Sequence, residues 1–128
     1  MGYRILVVED DPDIRRIVTT VLAGSYEVRS SVDGLAALMD IEGGYRPDLV
    51  IADIMMPRLD GVTLVKALKK KDATADIPVI FLTARSSPRD VAEGIAAGAR
   101  HYLTKPFKVE ELVTKVRHLL PPGQPGGR

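Results

Sequence analysis

The sequence predicts an α/β protein: five β-strands alternating with five α-helices, (βα)5, in a parallel sheet covered on both faces. Three observations point there. Short uninterrupted apolar runs, Ile5-Leu6-Val7-Val8, Leu49-Val50-Ile51-Ala52 and Val79-Ile80-Phe81-Leu82, read as strands buried on both sides. Between and after them, apolar residues recur at helical spacing. Regular alternation of the two patterns implies parallel strands joined by helical crossovers.

The elements follow in order. The first strand runs through Glu9-Asp10-Asp11 into a helix striped by Ile14, Ile17, Val18, Val21 and Leu22. Asp11-Pro12 gives that helix a capping side chain and a proline at its first position, and Gly24 stops it. Glu27-Val28-Arg29-Ser30 is a weaker strand, and Leu35, Leu38 and Met39 mark a second helix ending at Gly43-Gly44. After the strand at 49–52, Val62, Val65 and Leu68 mark a third helix. After the strand at 79–82, Ser87-Pro88 repeats the cap-and-proline start, Val91, Ala92, Ile95 and Ala99 form the stripe, and Gly98 is the stop. His101-Tyr102-Leu103-Thr104 is a short fifth strand, and Val109, Leu112, Val113, Val116, Leu119 and Leu120 define the last helix. Residues 1–120 therefore read as one domain. Residues 121–128 contain six prolines or glycines and no apolar anchor, the composition of a tail or the start of a linker.

Composition removes several function classes. The 128 residues carry 18 basic and 17 acidic side chains, a formal charge of +1, so the basic excess that drives nucleic-acid affinity is missing and no direct nucleic-acid binding is expected. Without cysteine there is neither disulfide nor thiolate metal site. No run approaches the eighteen or so apolar residues of a membrane span, and the first residues lead into a strand without a small-residue cleavage site. The expectation is a cytoplasmic protein with no membrane partner.

Ligands of open parallel sheets bind beyond the carboxyl ends of the strands. At those positions stand Glu9, Asp10 and Asp11 after the first strand, Asp53 after the third, Thr83 after the fourth and Lys105 after the fifth. Four carboxylates in one small site repel unless neutralised, and a hard cation such as Mg²⁺, which takes carboxylates, a carbonyl and waters, would neutralise them. Asp11 reads most simply as the helix cap; Glu9 and Asp10 cannot both serve that one helix, which favours a metal role for them. Taken singly, Asp53 would be a turn residue, Lys105 a solvated loop lysine and Thr83 a strand-end hydroxyl. His101 and His118 have no ligand partner at metal spacing and read as surface residues.

Four ordered blocks carry a more specific signal: Val7-Val8-Glu9-Asp10-Asp11, Asp53-Ile54-Met55-Met56-Pro57-Arg58-Leu59-Asp60-Gly61, Leu82-Thr83-Ala84 and Tyr102-Leu103-Thr104-Lys105-Pro106-Phe107. Thr83 lies 30 residues after Asp53, and Lys105 22 after Thr83. In blocks and spacing, the segment from Tyr3 to about Leu120 resembles the receiver domain of two-component response regulators. The resemblance implies a doubly wound, flavodoxin-like sheet of order 2-1-3-4-5. It implies that Asp53 accepts a phosphoryl group from a sensor histidine kinase or a histidine phosphotransfer protein, catalysing only its own phosphorylation and autodephosphorylation. Asp10, Asp53 and the carbonyl of Met55 would hold Mg²⁺, with Glu9 acting largely through the water shell. Lys105, after a cis bond to Pro106, would meet a phosphoryl oxygen, and Thr83 with Tyr102 would be a switch pair biasing a surface of the fourth helix, fifth strand and fifth helix.

Downstream, the resemblance implies an effector protein or a C-terminal output domain outside this chain, and a phosphorylation-dependent homodimer. Arg100-His101 stand where many transcription-factor members have an acidic pair, which argues against a dimer built from charge pairs on that face. Met55 and Arg85, bulky at the positions beside Asp53 and Thr83, lead to an expectation of slow autodephosphorylation. Two rival readings are a haloacid-dehalogenase-like phosphatase and a phosphorylation-independent receiver-fold binding module. The phosphatase would need an acid two residues after its nucleophile, where this chain has Met55.

Overall fold

In a computed structural model, described here for residues 2–122, the strands β1 (Arg4–Val8), β2 (Glu27–Ser31), β3 (Leu49–Ala52), β4 (Val79–Thr83) and β5 (His101–Thr104) form one sheet. All pairings are parallel and the order is β2-β1-β3-β4-β5, as the resemblance implied. The helices are α1 (Pro12–Ala23), α2 (Gly34–Glu42), α3 (Gly61–Lys69), α4 (Pro88–Ala97) and α5 (Val109–Leu119). Of the expected tail, residues 123–128 lie outside the described residues.

Alternation along the strands divides the core in two. Leu6, Val8, Val50, Ala52, Val79 and Phe81 pack with residues of α2 and α3, while Ile5, Val7, Leu49, Ile51, Ile80 and Leu82 pack with α1 and α5. β2 is an edge strand with a single buried residue, Ser31, which is why its sequence signal is faint.

The helix starts follow from capping chemistry. Asp11 accepts from Asp13 N (2.9 Å) and Ile14 N (3.3 Å), and Ser87 from Asp90 N (3.0 Å). Asp33 and Asp60 do the same for α2 and α3, through Ala36 N and Thr63 N, both at 2.8 Å. α5 begins after Lys108 with no side-chain cap. Of the glycine stops, Gly98 (φ 123°) and Gly44 (φ 115°) use left-handed conformations, whereas Gly24 and Gly43 stay right-handed. Ala99, expected in the α4 stripe, lies just past that helix and is buried in the core cluster that includes α3.

Candidate functional site

The sheet itself positions the residues at its carboxyl edge. Glu9 N–H donates to Ser31 O (3.1 Å), Asp53 N–H to Val8 O (3.1 Å) and Lys105 N–H to Thr83 O (2.8 Å), so each of these candidate residues extends the ladder one step onto a neighbouring strand. Their side chains then meet. Lys105 Nζ lies 2.9 Å from Glu9 Oε1 and 2.7 Å from Asp53 Oδ2, bridging two buried carboxylates. The second oxygens are also engaged: Glu9 Oε2 accepts from Asp11 N (3.1 Å) and Asp53 Oδ1 from Met55 N (3.0 Å). Arg15 donates to the carbonyl of Glu9 at 2.8 Å, a support that no sequence signal announced. The Lys105–Pro106 bond is cis.

Asp10 completes the cluster from the exposed side. Oxygens of Glu9, Asp10 and Asp53 lie within 4.8 Å of one another. Asp11 does not join: its side chain caps α1, so the expectation of four converging carboxylates is corrected to three. Three carboxylates facing one ammonium leave an excess of two negative charges, and the donors are all hard oxygens. That donor set fits a divalent cation such as Mg²⁺.

Burial and charge compete here. Burial pushes the Glu9 carboxyl above its usual range, and the hydrogen bonds from Lys105 and Asp11 N reduce the rise without cancelling it. For Lys105, burial is the largest single influence and pulls downward, but hydrogen bonds and charge from Asp53 and Glu9 outweigh it together and hold the ammonium above its ordinary value. Lys105 is therefore a fixed positive charge.

Thr83, the last residue of β4, is fully buried, and its hydroxyl accepts from Arg85 N at 3.3 Å. The hydroxyl of Tyr102 donates to the carbonyl of the same residue at 2.7 Å. Thr83 and Tyr102 are thus joined through one peptide segment, a link the sequence did not reveal. The Tyr102 ring meets Phe81 edge-on at 6.1 Å and lies where a Cβ on Gly94 would come within 2.7 Å of it. A cleft of about 710 Å³ beside the cluster is lined by Asp10, Met55, Asp60, Thr63 and Arg85 among others. A separate cavity of about 390 Å³, between the C-terminal halves of α2 and α3, contains none of the three carboxylates.

A family model of the response regulator receiver domain matches residues 5–117. The chain belongs to that family. The receiver is 42% identical, over 91% of its length, to the DNA-binding dual master transcriptional regulator RpaA of Synechocystis, of which it covers 48%. It therefore spans about half the length of the curated relatives it matches. Among solved structures it is similar to the chemotaxis response regulator CheY4 of Vibrio cholerae, with a TM-score of 0.86 and 34% identity over 94% of this chain and 100% of that one. It is also similar to the receiver domain of a sensor histidine kinase from Pseudomonas aeruginosa (TM-score 0.83, 31% identity, 93% of this chain and 98% of that one). That structure has a magnesium ion coordinated in its active-site cleft. Among the described residues of the present receiver, no helix is long and apolar enough to cross a membrane.

Proposed function

We propose that residues 1–120 form a phosphorylation-driven switch in which Asp53 is the phosphoacceptor and residues 121–128 begin a linker or tail. The observation that supports this most is the meeting of Asp53 with Glu9, Asp10 and Lys105 at the carboxyl edge of the sheet. A carboxylate oxygen of Asp53 attacks the phosphorus of a phosphohistidine on a sensor kinase or phosphotransfer protein. The P–N bond breaks as an acyl phosphate forms. Lys105, already 2.7 Å from Asp53, contributes positive charge to the phosphoryl oxygens. Asp10, Asp53, the carbonyl of Met55 and, through water, Glu9 would hold Mg²⁺, which when bound supplies further positive charge against the transferring group.

The added phosphoryl group brings roughly −1.5 to −2 charge and strong acceptors. Drawing the Thr83 hydroxyl toward it breaks the bond to Arg85 N, and because Tyr102 bonds the same residue, the disturbance passes to β5 and its neighbours α4 and α5. That surface would signal to an effector, to an output domain outside this chain, or to a second copy. Met55, with its side chain largely exposed, and Arg85 both line the cleft, which supports slow autodephosphorylation. The chemistry is the receiver's own and turns over no separate substrate.

Incubation with acetyl phosphate and Mg²⁺ followed by intact-mass measurement tests the reading. One phosphoryl adduct is expected, and none in Asp53→Asn. A wild-type protein that takes no adduct would favour the phosphorylation-independent binding module.

A further inference from the structure

The loop from Asp53 to Gly61 is tied at three points: Met55 N–H to Asp53 Oδ1 (3.0 Å), Gly61 N–H to Ile54 O (2.8 Å) and Leu59 N–H to Pro57 O (2.9 Å). The last bond closes a three-residue turn about Arg58, whose φ is +75°. Among the described residues Arg58 is the one non-glycine with positive φ. A γ-turn of this sense is rare and strained in a residue with a Cβ, so it persists only where its surroundings hold it.

The start of α2 supplies the hold. Asp33, the cap of α2, is 5% exposed, and a carboxylate this buried costs stability unless it is paired. One of its oxygens caps Ala36 N, and the other faces Arg58 Nε at 3.5 Å. The next residue, Gly34, lies against the same turn: a Cβ there would stand 2.2 Å from Leu59 O and 3.0 Å from the Leu59 carbonyl carbon. Both residues that open α2 are therefore shaped by the acceptor loop as well as by their own helix. A buried carboxylate also requires a compensating charge, which Arg58 provides.

We infer that Asp33 is a positioning residue for the metal side of the site, acting through Arg58 on the loop that carries Met55. The inference rests on the metal assignment proposed above. Asp33→Asn keeps a capping oxygen and removes only the charge facing Arg58. It is expected to weaken Mg²⁺ binding, read by isothermal titration calorimetry with Mg²⁺ alone, by about two- to fivefold, the range of an ion pair with one exposed partner. In that background Arg58→Gly should restore the affinity, because glycine takes positive φ without support. A cap acting only on α2 would not respond to a change at residue 58.

Unchanged affinity in Asp33→Asn would overturn the inference, as would a loss that Arg58→Gly leaves in place. Absence of Mg²⁺ binding by the unmodified protein would instead overturn the metal assignment itself. Thermal unfolding in EDTA confirms that each variant is folded.

Discussion

The two ends of the sheet spend their polar groups differently. At the amino end, side chains bond to main chain: Tyr26 hydroxyl to Leu120 O (2.6 Å), Thr74 hydroxyl to Leu68 O (2.6 Å), Arg46 to Ile41 O (2.6 Å) and Lys69 to Ala75 O (2.8 Å). Each of these bonds ties one segment onto another, and Arg46, Lys69 and Thr74 each reach a second carbonyl as well. At the carboxyl end, charged side chains bond to one another, with Lys105 shared between Glu9 and Asp53 and with Asp10 exposed beside them. Like charges so placed cost stability and leave partners that can be exchanged for an incoming group. The first end holds the fold; the second gathers the charged groups that the proposed phosphoryl transfer would use.

Substitutions at the two ends should separate these roles. The largest effect is expected from Lys105→Ala, which removes the fixed positive charge. Phosphorylation by acetyl phosphate, followed by intact mass over time, should slow by about a hundredfold, the usual order for loss of one charge-stabilising donor. At the other end, Tyr26→Phe leaves a buried carbonyl unpartnered, at a cost of about 1 kcal/mol, and lowers Tm by roughly 4 °C. Its phosphorylation rate should match that of the wild type within about twofold, on the rule that distant sites act independently. Equal slowing in the two variants would erase the distinction.

The smallest effect concerns pH. Burial raises the Glu9 pKa above its usual value of 4.5, so the folded state binds this proton more tightly than the unfolded state. The favourable contribution is present below about pH 4.5 and is lost as pH rises through the raised value. In EDTA, Glu9→Gln should therefore melt above the wild type at pH 7, and the advantage should fade as the pH drops below that range. A lower melting temperature at pH 7 would show that the pairing with Lys105 outweighs burial.

Much of this was legible in the sequence because it is local. Asp11-Pro12 and Ser87-Pro88 announce helix starts through the adjacent residues alone, and apolar runs such as Val79–Leu82 mark buried strands. Glu9, Asp10, Asp53 and Lys105 could be brought together on paper because parallel strands end on a common edge. What the sequence did not disclose depends on contacts between distant segments. The bond from Tyr102 to Arg85 spans 17 residues, and the seat of Leu59 on Gly34 is a matter of backbone approach. Arg58 gives no sign of its positive φ, since glycine is the usual residue there. Asp11 stands at the same sheet edge by sequence, but its reading as the helix cap holds: its carboxylate is occupied with two main-chain donors of its own helix.

The central claim is that the carboxyl edge is one reacting site with Asp53 as its nucleophile. Reductive trapping tests it most directly: after treatment with acetyl phosphate and Mg²⁺, borohydride converts an aspartyl phosphate to homoserine, which peptide sequencing by mass spectrometry locates. The account predicts homoserine at position 53 and nowhere else. Conversion at Asp10 or Asp11, with residue 53 still aspartate, would contradict it.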